Sequence, residues 1–206
     1  GAALSVATTA GARLGRDFFD RSVHDVARDL IGCRLFFGGC GGVIVETESY
    51  ARDDPACHAY VGLTPRTRVL FGPPGRAYVY LSYGIHHLLN AVAEPEGEAA
   101  AVLIRALRPT AGLERMRERR GPRPDTELCS GPGKLTEALG IDLSHNEADL
   151  TRDPFLLLEP DEPRPEIVTG PRVGITKATE LPWRFCAADS PYVSRPRPPA
   201  PGLSRR

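Results

Sequence analysis

Lysine is nearly missing from this sequence of 206 residues, and Lys134 and Lys177 are the only two. An enzyme that forms a Schiff base through a side-chain amine needs a lysine at its reacting centre, so that chemistry has only two candidates. The five cysteines (Cys33, Cys40, Cys57, Cys129 and Cys186) are odd in number and lack any C-x-x-C spacing. They argue against a disulfide framework and against a structural zinc site, and no metal is expected. No stretch approaches the ~20 apolar residues of a membrane span, and no basic segment leads into an apolar one at the N-terminus. A soluble intracellular protein is expected. The short start without an extension favours bacterial cytoplasm or nucleoid over a nucleus. Net charge is also missing: the formal total is zero, whereas a phosphate-binding protein ordinarily carries a basic surface.

The zero hides a segregation. Arg105, Arg108, Arg115, Arg117, Arg119, Arg120 and Arg123 crowd one stretch against only Glu114 and Glu118, while residues from Glu147 to Glu166 are dominated by acids. Either one basic face exists or the arginines reflect a compositional bias. The 21 Gly and 20 Pro predict a loop-rich fold rather than a bundle of long helices, and the length suits one core.

Apolar residues at helical spacing predict a helix from Asp20 to Ile31. Arg34 to Phe37 and Gly42 to Tyr50 read as two strands joined through glycines. Asp53 to Pro74 reads as irregular. Ala77 to Tyr83 and His87 to Val92 form a second hairpin whose tip lies near Tyr83, Gly84, Ile85 and His86. A strand follows at Ala100 to Leu107, then a helix over Pro109 to Arg120 and a short helix ending near Gly140. Phe155 to Leu158, Val168, and Arg172 to Thr176 supply further short strands. Residues 1–194 are expected to form one domain, and the Pro- and Arg-rich tail from Arg195 to Arg206 to be disordered.

Several residue choices point to chemistry. In Val45-Glu46-Thr47-Glu48-Ser49-Tyr50, strand alternation puts Glu46, Glu48 and Tyr50 on one face. That face is either a polar sheet surface or an aromatic-lined cleft whose carboxylate acts as a base. Tyr78, Tyr80 and Ser82 share a face of the second hairpin, as core packing or as a cleft wall, and Tyr83 beside Gly84 at the tip is hard to explain by packing. Arg105 lies inside an apolar strand, where a charge needs a partner, and Glu46 or Glu48 is the obvious one. Asn90, between Leu89 and Ala91, also needs hydrogen bonds. Ser130-Gly131-Pro132-Gly133-Lys134 fails the Walker pattern. It reads either as a plain turn or as a helix start whose N–H groups hold a phosphate.

Taken in order, Ile44 to Tyr50 (IVETESY), His58, Thr64-Pro65-Arg66, Tyr78 to Gly84 (YVYLSYG), Asn90, Val102 to Leu107 (VLIRAL) and Leu128 to Leu135 (LCSGPGKL) closely resemble the alkyladenine (3-methyladenine) DNA glycosylase family. The resemblance covers roughly Ala27 to Val193, with Ser49 standing where the family usually has Ala. It implies an α+β single domain on a curved, largely antiparallel sheet with peripheral helices and a protruding hairpin that enters the minor groove. It implies Glu48 as the catalytic acid with Arg105 as its companion, and Tyr50, His58, Tyr80 and Asn90 as the base pocket. Tyr83, with Ile85 and His86 beside it, would intercalate, and Arg66, Arg68, Ser130, Gly131 and Lys134 would meet the DNA backbone. The partner so implied is double-stranded DNA with damaged purines, bound by a monomer without a cofactor. With lysines absent from the acid and aromatic motifs, hydrolysis without lyase activity is expected. Two other classes stay open: a carbohydrate hydrolase using Glu46 and Glu48 as a pair, and a nucleic-acid-binding module without catalysis.

Overall fold

The computed structural model of the chain describes residues 11–199. A one-turn helix α1 (Arg16–Phe19) precedes α2 (Val23–Leu30), which starts after Ser22 and turns Val23, Val26, Ala27 and Leu30 into the core, all fully buried. Each such Val or Leu contributes ~1.5–3 kcal/mol by leaving water. The glycine-linked hairpin follows as β1 (Arg34–Phe37) and β2 (Cys40–Tyr50). Between Tyr50 and the next strand the chain is mostly irregular but includes two 3-10 turns, His58–Val61 and Arg68–Phe71.

The second hairpin is β3 (Ala77–Ser82) and β4 (His86–Ala93), and β5 (Ala100–Ala111) follows. The helix expected over Pro109 to Arg120 begins only at α3 (Leu113–Arg120). Pro109 instead lies opposite Gly42 in the β2–β5 ladder, and Gly112 makes the turn with a φ of 71°. The close approach requires glycine at position 42, where a Cβ would lie 1.9 Å from the Arg108 carbonyl oxygen. Two further helices, α4 (Asp125–Leu128) and α5 (Pro132–Leu139), precede β6 (Phe155–Leu158), β7 (Ile167–Gly170) and β8 (Arg184–Ala187). Arg172 to Thr176, expected as a strand, forms a loop, while β8 was not anticipated.

Among the described residues these strands form one antiparallel sheet in the order β3-β4-β5-β2-β1-β6, with β8 on β2 and β7 on β8. The sheet is curled and the fold is α+β, as expected. The long β2 lies along β5 on one side and passes from β1 to β8 on the other. Curling is aided by two offset bulges: Val45 has no partner between the Ile44–Leu107 and Glu46–Ala106 pairs, and Arg105 has none between Glu46–Ala106 and Thr47–Ile104.

The main core packs helices against one face of the sheet. A smaller cluster of Cys57, Ala59, Val69, Leu70, Tyr78 and Val92 fixes the 51–76 segment on the other, with Tyr50 and Tyr80 against it. Of the expected tail, residues 195–199 are described, and the buried Arg184 donates to the Pro196 carbonyl at 2.8 Å. The rest of that tail lies outside the described residues. Among the described residues no helix is long and apolar enough to cross a membrane.

Candidate active site

The C-terminal half of β2 puts two carboxylates where water does not reach. Glu46, Thr47, Glu48 and Ser49 are all fully buried, so the reading of this face as a polar sheet surface does not hold. A buried carboxylate needs donors, and both acids have them. Glu46 Oε2 accepts from Arg105 Nε at 2.8 Å, Arg184 Nε at 2.9 Å and Ser194 Oγ at 2.8 Å, while its Oε1 accepts from the Ser194 N–H at 2.7 Å. Four donors therefore tie Glu46 to β5, β8 and the C-terminal segment.

Glu48 is held differently. Its Oε1 accepts from the Tyr50 hydroxyl at 2.9 Å and from Arg105 Nη1 at 3.4 Å, and its Oε2 accepts from the Val173 N–H at 2.7 Å. Burial pushes the Glu48 carboxyl above the usual range; Arg105, the Val173 N–H and the Tyr50 hydroxyl pull it back, and burial wins. Burial also opposes the charge of Arg105, but Glu48 and Glu46 outweigh it and keep the guanidinium charged. Arg105 thus meets both candidate partners, turned toward them by its place in the bulge.

Tyr50, Arg105 and Val173 all line a cavity of about 810 Å³, and Glu48 sits directly behind them. The same cavity is lined by His58, Tyr80 and Asn90. The His58 and Tyr80 rings lie 4.4 Å apart, tilted by 59° to each other, and His58 Nδ1 shares a 2.9 Å hydrogen bond with the Tyr78 hydroxyl. Burial, then the neighbouring Arg66, lowers the His58 pKa, so its ring is neutral at physiological pH. Burial pushes the Tyr80 phenol up to about 12, keeping it protonated. Asn90 satisfies one donor on the Tyr78 carbonyl at 3.2 Å. Arg66 lies over the Tyr80 ring at 5.5 Å and lines the cavity too.

At the mouth stands the β3–β4 hairpin. Tyr83 and Gly84 make its turn with φ values of 51° and 67°, closed by Ile85 N–H to the Ser82 carbonyl at 3.0 Å. Tyr83 is 88% and Ile85 70% exposed, an unusual display of apolar surface at a tip with nothing to pack on. The hairpin leans on α5: Thr136 Oγ1 donates to the His87 carbonyl at 2.7 Å, and a Cβ on Gly133 would lie 3.0 Å from the exposed His86. Gly131 and Lys134 line the cavity, and Ser130 bridges to Ala106. Arg68, expected at the DNA backbone with these residues, is ion-paired with Glu147 on the surface. Among the described residues no group of three His, Cys, Asp or Glu side chains is gathered for a metal.

The model of the methylpurine-DNA glycosylase family matches residues 17–191. The chain belongs to this family. Among its relatives, a protein of Rhodopseudomonas palustris named "Putative 3-methyladenine DNA glycosylase" is 58% identical over 188 residues, 91% of each chain. Proteins of the same name from Nitrosospira multiformis and Rhizobium meliloti are 53% and 51% identical, over 86% and 87% of this chain and 92% and 95% of their own. The resemblance drawn from the ordered motifs therefore holds for nearly the whole family match.

Sequence reasoning missed the loop from Arg172 to Lys177, which lines the cavity from Val173 onward and gives Glu48 an N–H. It also missed Asp54, Arg184 and Ser194. Arg184 carried a legible signal, the same one that marked Arg105: a charge within an otherwise apolar strand, here Arg184-Phe185-Cys186-Ala187.

Proposed function

We propose that this methylpurine-DNA glycosylase turns a damaged purine out of duplex DNA into the 810 Å³ cavity and hydrolyses its bond to deoxyribose, leaving an abasic site. The observation that carries the reading is the mounting of Glu48: a buried carboxylate whose three anchors, Tyr50, Arg105 and Val173, all face the cavity.

A base inside the duplex is out of reach of any side chain, and extruding it costs a few kcal/mol, least for damaged or mispaired bases. Tyr83 fills the gap it leaves, with Ile85 and His86 against the minor groove. Arg66, Lys134 and the N–H groups near Ser130 and Gly131 hold phosphates, and Arg68 joins them by exchanging Glu147 for a phosphate. The purine stacks on Tyr50, His58 and Tyr80. A purine made cationic by alkylation gains ~0.5–2 kcal/mol there, and the neutral state of His58 spares it a repulsion. Asn90 opposes the exocyclic amine of normal guanine.

As the bond to C1′ breaks, its electron pair leaves with the purine and the sugar gains oxocarbenium character; a cationic alkylated purine departs neutral, whereas a neutral one such as hypoxanthine takes up a proton as it departs. Glu48 stabilises that charge, takes a proton from water and directs the hydroxide to C1′. A carboxyl pKa raised by burial suits the task, since it makes the carboxylate a stronger base. Lys134 and Lys177 both line the cavity, but in this reading the nucleophile is water activated by Glu48, so no covalent adduct forms and the strand stays uncut. The enzyme acts as a monomer.

The test is base release from duplexes carrying 3-methyladenine, 7-methylguanine, hypoxanthine or etheno-adenine, scored by alkaline cleavage at the abasic site. Release by the parent and its loss in Glu48→Gln with DNA binding kept is the expected result. Equal activity of the two proteins would sink the mechanism, and borohydride trapping of a protein–DNA adduct would refute hydrolysis without a lyase step.

A further inference from the structure

Behind Tyr50 lies a second buried charge pair that the reaction does not use. The side chains of Arg172 and Asp54 are both fully buried. The guanidinium forks onto the carboxylate, Nη1 to Oδ2 and Nη2 to Oδ1, the latter at 3.0 Å. It also donates to the Ser49 carbonyl at 3.1 Å and the Ala178 carbonyl at 3.3 Å. Its plane is caught between two rings, 4.7 Å from the Tyr50 centroid and 5.1 Å from that of Trp183. Trp183 is backed in turn by His24 at 4.4 Å, and His24 Nδ1 shares a 2.8 Å hydrogen bond with Ser49 Oγ.

The pair ties together three segments that border the cavity: β2, the turn after it and the loop from Arg172. Asp54 Oδ1 also accepts the Ala56 N–H at 2.9 Å, which fixes the turn that lines the cavity through Pro55, Ala56 and Cys57. Ser49 is the neighbour of Glu48 on β2. Arg172 immediately precedes Val173, whose N–H meets Glu48 Oε2, and its guanidinium stacks on the ring whose hydroxyl meets Oε1. Two of the three anchors of Glu48 are thus held by one side chain.

We propose that Arg172, locked by Asp54 and stacked between Tyr50 and Trp183, is a positioning residue that aims the Glu48 carboxylate at the cavity. The inference rests on the reading of Glu48 as the base. A planar fork is required: a lysine can pair with Asp54 but cannot reach two carbonyls while lying flat between two rings. Small displacement of a reacting group is costly to rate, so the effect falls on turnover more than on binding.

The experiment compares Arg172→Lys, Asp54→Asn and Trp183→Leu with the parent in single-turnover release from a hypoxanthine duplex across pH, with lesion-duplex affinity and thermal unfolding measured on each. Trp183 is only half-buried, so its variant keeps the fold if the buried pair proves indispensable to it. Arg172→Lys is expected to lower the release rate about 10- to 100-fold with affinity unchanged. The acid limb of the pH profile should move to higher pH, because Glu48 loses the Val173 N–H. Arg172 itself faces Glu48, and Arg172→Lys keeps that charge; Glu48 is otherwise faced by Arg105 from β5, Glu46 and Tyr50 from its own strand, Tyr80 from β3 and Cys186 from β8, and all of these remain in the variants. Trp183→Leu should change the rate and the acid limb in the same direction by less. An active parent whose Trp183→Leu and folded pair variants keep its rate and pH profile overturns this proposal alone, as does a fall in rate matched by affinity with an unmoved acid limb. A parent that releases no purine overturns the reading of Glu48 and this proposal together.

Discussion

The Tyr50 hydroxyl donates to Glu48 Oε1 across 2.9 Å, so the ring that walls the cavity also steers the carboxylate beneath it. These two duties separate in Tyr50→Phe, which keeps the stacking face and deletes the donor. A hydrogen bond to a charged acceptor contributes ~1.5 kcal/mol or more. The single-turnover rate should therefore fall about tenfold while lesion affinity stays near the parent value; Tyr50→Ala should lose both. A Phe variant as fast as the parent would show that the hydroxyl does not orient Glu48.

Glu46 and Glu48 should answer to different assays. Glu46 accepts four hydrogen bonds from Arg105, Arg184 and Ser194, and Glu46→Gln leaves two buried guanidinium groups short of their carboxylate. Breaking such a network costs ~3–5 kcal/mol, read as a lower midpoint in denaturant unfolding. An unchanged midpoint together with complete loss of base release would return Glu46 to the chemistry.

Tyr83 is predicted to matter to DNA and not to the fold. With 88% of its surface exposed, Tyr83→Ala should leave stability within ~0.5 kcal/mol. Release from duplex substrate should drop about tenfold or more, while release from the same lesion in a single strand, where no stack must be filled, stays unchanged. Equal losses on both substrates would rule out the wedge.

The pH dependence has a definite sign. In the proposed mechanism Glu48 acts only when ionised, and burial holds its carboxyl above the usual range, so release should fall off as acid at a higher pH than an ordinary Glu of pKa ~4.3 would dictate. Stability runs the other way. Because the folded chain holds this proton more tightly than the unfolded one, the contribution of Glu48 is full at low pH and is lost as pH rises through its folded pKa. Unfolding midpoints of the parent and Glu48→Gln should accordingly diverge in favour of the variant with rising pH, and parallel curves would contradict the assignment.

Much of the site was legible because strand alternation is a local rule. Glu46, Glu48 and Tyr50 fall on one face by period two, and an isolated charge in an apolar run marked Arg105 and its need for a carboxylate. What set the direction of Arg105 was not legible: the bulge between the Glu46–Ala106 and Thr47–Ile104 pairs arises from the register of two strands, which neither encodes alone. The Arg172 loop escaped for a related reason. Its shape is fixed by Asp54, 118 residues earlier in the chain, and a short Val-Gly-Ile-Thr run looks like a strand until that distant contact is known. The end of β5 was misread because Pro109 and Gly112 signal a break, while Gly42 opposite them makes room for the ladder to continue.

The double grip of Ser194 on Glu46 carries a consequence for how the enzyme comes into being. β2 leaves the ribosome early, yet the buried carboxylate at its centre obtains its Ser194 N–H and hydroxyl only when residue 194 arrives. Until then Glu46 and the two guanidinium groups that share it lack that brace, so a nascent chain stalled short of Ser194 holds the buried charges beside Glu48 with two of the four hydrogen bonds to Glu46 missing.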